Sequence, residues 1–104
     1  MIKNTGLSDA AINKIISVLK KNPKIVAVIL YGSRAMGNYR NGSDIDLTLH
    51  APDLTLSELL KIENEMDDLL LPYQVDLSLF HQIENRELVD HIERVGREFY
   101  RKSP

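Results

Sequence analysis

The segment Asp44-Ile45-Asp46-Leu47-Thr48-Leu49-His50 alternates strictly between apolar and polar residues. A period of two is the signature of a strand with one buried face. Ile45, Leu47 and Leu49 must then point into a core, and Asp44, Asp46 and Thr48 must point away from it. A second segment, Ile25-Val26-Ala27-Val28-Ile29-Leu30, is continuously apolar and rich in β-branched residues, as expected of a strand covered on both faces. A third, Gln74 to Phe80, alternates again, with Val75, Leu77 and Leu79 opposite Asp76 and Ser78.

Helical patterns surround these strands. Ser8 is a good N-cap, Asp9 suits a first helical turn, and Ile12, Ile15, Ile16 and Leu19 share a face before Asn22-Pro23 ends the element. Leu56, Leu59, Leu60, Met66, Leu69 and Leu70 predict a helix that stops before Pro72, and Leu88, Ile92, Val95 and Phe99 predict one from about Asn85 to Tyr100. The expected fold class is α/β (α+β): a small mixed sheet of about three strands flanked by helices. The helix between the second and third strands permits a crossover connection.

The 104 residues suit one domain spanning 1–104, with Arg101-Lys102-Ser103-Pro104 expected to be a frayed tail. A net charge of −2 argues against direct DNA binding, which favours a basic surface. The absence of cysteine excludes disulfides, thiolate metal sites and cysteine nucleophiles. No apolar run approaches the roughly twenty residues of a membrane span, and the N-terminus lacks a signal-peptide pattern. The expected location is the cytoplasm.

The chemistry lies on the polar faces. Asp44 and Asp46 are two apart on one strand, so they share a face with Cα atoms roughly 6.5–7 Å apart. Carboxylates held this close repel unless a cation sits between them. Mg²⁺ is the natural choice, because it accepts both carboxylate and phosphate oxygens. Asp76 on another strand adds a third carboxylate if the two strands are neighbours, and three carboxylates suit a two-metal site. Gly32-Ser33 follows an apolar strand, where glycine permits close approach to a phosphate and serine adds a hydroxyl. Alone, that pair would read as a plain turn.

The segment from Gly32-Ser33 through Asp44-Ile45-Asp46, with ten residues between the pairs, resembles the signature of the DNA polymerase β-like nucleotidyltransferase superfamily. More narrowly, the chain resembles the minimal nucleotidyltransferases (MNT) that act as antitoxins beside a helical HEPN-domain toxin. The resemblance implies a polymerase β-like fold, two Mg²⁺ ions and ATP as substrate. It implies metal binding and catalysis by Asp44, Asp46 and Asp76, and a grip on the NTP phosphates by Gly32 and Ser33. It also implies transfer of AMP to a hydroxyl, a toxin tyrosine, with the HEPN protein as the partner that completes the acceptor site. Two alternatives stand beside this reading. One is a catalytic subunit for a small-molecule or RNA acceptor, completed by a helical binding partner. The other is an antitoxin that neutralises by binding alone.

Arg34 and Arg40 are candidate nucleotide ligands, but either can equally brace the loop. Tyr39 can stack on a base or simply be exposed. Ser43 can brace the turn before the strand. His50, His81 and His91 share no metal-like spacing and are read as structural or solvent-facing. The acidic run Glu63, Glu65, Asp67, Asp68 is read as a solvated helix face.

Overall fold

A computed structural model describes every residue from Met1 to Pro104. Helix α1 spans Asp9–Leu19, strand β1 Ala27–Tyr31, a one-turn helix α2 Ser33–Met36 and strand β2 Ile45–His50. Helix α3 follows at Leu56–Asp67, strand β3 at Val75–Leu79, helix α4 at Arg86–Val95 and strand β4 at Arg97–Arg101. The strands form one mixed sheet in the order β3-β2-β1-β4. β1 runs antiparallel to both neighbours, whereas β2 and β3 are parallel and joined by α3 as the crossover.

The helix ends follow from local chemistry. The Ser8 hydroxyl accepts the Ala11 N–H at 3.1 Å, satisfying a donor that the first turn of α1 would otherwise leave free. Thr55 and Glu58 form a reciprocal capping box at the start of α3. α1 and α3 cover one face of the sheet. There Ile45, Leu47 and Leu49 of β2 are fully buried with Val28 and Leu30 of β1, against Ile12, Ile15 and Leu19 from α1 and Leu59, Ile62 and Met66 from α3. Each such side chain contributes roughly 1.5–3 kcal/mol on burial, so this aliphatic layer carries the fold.

The C-terminal region departs from the expected single helix. α4 stops at Val95, and Arg97–Arg101 forms a fourth strand on the far side of β1. Gly96 is the reason: its N–H donates to the Ile92 carbonyl at 2.7 Å, and a side chain there would strike that carbonyl and the Ile29 Cγ2, 2.7 Å away. The chain therefore turns tightly against the sheet at Gly96. Phe99 is buried in the main core from β4 rather than extending the α4 stripe. Arg101 and Lys102, expected in a frayed tail, are tied in: Arg101 pairs with Ala27, and the Lys102 N–H donates to the Val26 carbonyl at 2.9 Å. α3 also ends earlier than its apolar pattern suggests, leaving Leu69 and Leu70 outside it.

α4 lies on the opposite face of the sheet from α1 and α3. Its Ile92 and Gly96 border Ile29, His50 and Phe80 around a cavity of about 350 Å³. It covers only part of that face, and the uncovered part holds the aspartates.

Candidate active site

β1 ends at Tyr31 and the chain turns sharply at Gly32, whose φ of 74° belongs to the left-handed region. Glycine is required there twice over. Its φ strains any other residue, and a Cβ would collide with the Asp46 carboxylate. The close approach places the Gly32-Ser33 turn directly beside Asp46. α2 begins at Ser33 and closes through Ala35 and Met36 N–H groups donating to the Gly32 carbonyl at 3.2 and 3.1 Å.

Register aligns the acidic groups. Tyr31 of β1 lies opposite Asp46 of β2, which lies opposite Asp76 of β3. Paired residues in neighbouring strands point to the same face, so the three side chains form one row, with strands about 4.8 Å apart. Asp44 sits just before β2, exposed, and its charge bears on Asp46. Asp76 lies on the edge strand, where one of its oxygens accepts from Gln74 Nε2 at 3.0 Å.

The electrostatics match this crowding. Asp46 is pushed above the usual carboxylate range, first by burial and then by the charges of Asp76 and Asp44, with His91 pulling weakly the other way. The Tyr31 phenol is raised, first by burial and then by the charges of Asp46 and Asp76. Ser78 Oγ donates to Thr48 Oγ1 at 2.9 Å.

The donor set suits a hard divalent cation. All three acidic groups offer carboxylate oxygens, and the mutual repulsion that raises Asp46 is what a bound cation relieves. As the side chains stand, no three of the Asp, Glu or His groups surround a common point.

The loop from α2 to β2 is rigidified from within. Arg34, though charged, is only 2% exposed. Its Nε donates to the Ser43 carbonyl at 3.0 Å and one terminal nitrogen to the Thr5 carbonyl at 2.9 Å. Its plane is flanked by the rings of Tyr39 and Tyr73, with centroids at 5.1 and 4.7 Å. Arg34 thus braces the loop, with its guanidinium enclosed and its charge satisfied within the chain. Tyr39 is engaged in the same cluster and packs against Gly6. Ser43 braces the turn by accepting the Arg40 N–H at 2.8 Å, and the Arg40 side chain is exposed. Glu63 and Asp67 line a groove of about 770 Å³ beside β3 with Tyr73 and Asp76, and Glu65, Asp67 and Asp68 are exposed, as expected of a solvated helix face.

One site residue escapes the sequence. His91 of α4 accepts the Gly32 N–H on Nε2 at 3.3 Å, and its ring meets Tyr31 edge-on at 6.2 Å. The contact joins positions 59 apart in the chain, so no local spacing announces it. The other histidines stay outside the site. His50 stacks on Phe80 at 4.5 Å, and His81 is exposed in the turn after β3.

A turn against an acidic row, at the end of a mixed sheet, is the arrangement of a nucleotidyl-transferring enzyme. The chain belongs to the polymerase beta nucleotidyltransferase family, whose profile matches residues 13–104, and it is a nucleotidyltransferase. Among solved structures it resembles a toxin–antitoxin complex crystallised with AMP-PNP, at 27% identity and a TM-score of 0.71 over 88% of this chain and 73% of that one. It shares its fold with a chain of the MntA–HepT toxin–antitoxin, at 24% identity and a TM-score of 0.68 over 91% and 74%. The same holds for a chain in the complex of tri-AMPylated Shewanella oneidensis HEPN toxin with its MNT antitoxin, at 22% identity and a TM-score of 0.69 over 92% and 74%. No curated protein matches the chain. No helix is long and apolar enough to cross a membrane.

Proposed function

We propose that the chain is an Mg²⁺-dependent adenylyltransferase that moves AMP from ATP to a tyrosine hydroxyl of a helical HEPN-type partner, silencing that partner as an antitoxin in the cytoplasm. The observation that carries this reading is the in-register row of Asp46 and Asp76, with Asp44 beside it, set against the Gly32-Ser33 turn. AMP-PNP in a relative at 27% identity supports ATP as the donor. The toxin–antitoxin setting of the neighbours supports the partner.

In this scheme the Gly32-Ser33 backbone and the Ser33 hydroxyl hold the β- and γ-phosphates, and Gly32 lets them approach Asp46. Asp44, Asp46 and Asp76 would hold two Mg²⁺ ions, which neutralise charge on the phosphate oxygens when bound. Asp76, on the open edge strand, faces the acceptor. Its carboxylate takes the proton as the acceptor O–H bond breaks. The oxygen bonds to the α-phosphorus, the α–β bridging bond breaks, and pyrophosphate leaves with that electron pair. Catalysis then consists mainly of positioning and charge stabilisation.

The test is to isolate the chain with whatever partner co-purifies and record intact masses with Mg²⁺ and each NTP in turn. A partner that gains AMP with ATP, but not with the Asp44→Asn/Asp46→Asn variant, is the expected result. A stable complex in which no mass changes, but in which that variant still neutralises the partner, would instead establish a binding-only antitoxin.

A further inference from the structure

His91 ties α4 to the turn that begins the phosphate-binding segment. Its Nε2 can accept the Gly32 N–H only when that nitrogen carries no proton, so the ring hydrogen resides on Nδ1. The Tyr31 ring, met edge-on at an interplanar angle of 81°, seats the imidazole. The bond is consequential because of what it grips. Gly32 has a left-handed φ and no side chain, so its peptide planes rotate more freely than those of any other residue type. The same residue sits against the Asp46 carboxylate. α4 itself is lightly seated: Ile92 is its one buried residue, while Leu88, Val89 and Val95 are partly exposed.

We propose that His91 is a positioning residue for the nucleotide: by accepting the Gly32 N–H while seated on Tyr31, it holds the Gly32-Ser33 turn in the orientation that receives a nucleoside triphosphate, and so couples the docking of α4 to nucleotide affinity. The inference rests on the nucleotidyltransferase reading above and extends it to a helix that carries none of the carboxylates. His91 touches neither the acceptor nor the α-phosphorus. Its loss therefore weakens binding of the nucleotide and leaves the chemical step near its original rate.

Three variants separate this role from simple packing. His91→Gln keeps an acceptor that can reach the Gly32 N–H. His91→Phe keeps a ring against Tyr31 and has no acceptor. His91→Ala keeps neither. The probe is AMP-PNP with Mg²⁺, titrated calorimetrically into the full chain, alongside KM and kcat for AMP transfer and hydrogen exchange at the Gly32 amide. The expected result is affinity about five- to tenfold weaker, and KM higher to match, in His91→Phe and His91→Ala, the size of one neutral hydrogen bond. Gly32 exchange should be faster in the same two variants. His91→Gln should stay within about twofold of the parent on each readout. Rescue by phenylalanine and not by glutamine would overturn the proposal in favour of packing, as would unchanged affinity in all three or equal loss in all three. If the parent chain itself fails to bind AMP-PNP, the nucleotide reading falls, and this inference falls with it.

Discussion

The site-bearing face of the sheet has two ends built on the same strands, and they are opposites. At one end, Thr48 of β2 lies opposite Ser78 of β3 and is fully buried, and the two hydroxyls satisfy each other at 2.9 Å. Beyond them His50 stacks on Phe80 beside α4. Two residues along the same strands, Asp46 lies opposite Asp76, half-buried, with like charges for neighbours. Alternation places all of these groups identically. What differs is whether each polar group finds its complement within the chain. The end that does is structure, and the end that does not is where a cation and a phosphate belong.

The largest expected effect comes from breaking the unsatisfied end. Asp46→Asn should lower the rate of AMP transfer by about 10²–10³-fold, the scale of losing one charge-stabilising group, read by single-turnover kinetics. The same variant should raise the thermal midpoint of the metal-free chain at neutral pH. The sign follows from the raised carboxyl: its charged form is disfavoured in the folded state, so the native chain gains stability as pH falls through that value, and asparagine removes the penalty. A lower midpoint would show that Asp46 is already satisfied without a metal.

Gly32→Ala should come next. Alanine at a φ of 74° and ψ of −156°, a conformation that belongs essentially to glycine, is strained by roughly 1–3 kcal/mol, and its Cβ displaces Asp46. Nucleotide titration should show at least a tenfold loss of affinity together with reduced stability. At the satisfied end the pattern should invert. Thr48→Val preserves shape but strips Ser78 of its acceptor, so urea unfolding should show a loss of about 1–3 kcal/mol, with kcat for AMP transfer close to that of the parent. A matching loss of activity would mean that the two ends do not act separately.

The smallest effects are in pH. His50 is held below its ordinary value by burial and by Arg101. Stability should therefore be complete above about pH 6.5 and decline as pH falls through that value, because the unfolded chain takes up the proton first. His50→Gln should flatten that part of the profile. Glu58 is pushed down to about 2 by Lys24 and by the Thr55 cap. Its contribution is present above its ordinary value near 4.5 and is lost as pH falls toward 2. Denaturation profiles of Glu58→Gln against the parent check this window at the end of α3 remote from the aspartates.

The sequence made the satisfied core and the acidic row legible for one reason: both follow from a period of two. Ile45, Leu47 and Leu49 announced the buried face, and Asp44, Asp46 and Asp76 the other. Arg34 was readable only as an open choice, since its burial depends on Thr5 and Tyr73, residues far from it in sequence. β4 was hidden because Val95 and Phe99 fit a helical spacing as well as they fit two separate elements. His91 was hidden more deeply, because its partner is a backbone N–H, and a backbone group leaves no mark on composition.

The most direct test of the central claim is a crystal of the chain with AMP-PNP and Mn²⁺, with the anomalous signal of Mn²⁺ marking the metal positions. The account predicts Mn²⁺ held by Asp44 and Asp46, with Asp76 reaching at least one ion, and the polyphosphate lying on Gly32-Ser33. Nucleotide seated elsewhere, or Mn²⁺ bound without Asp46, would contradict it.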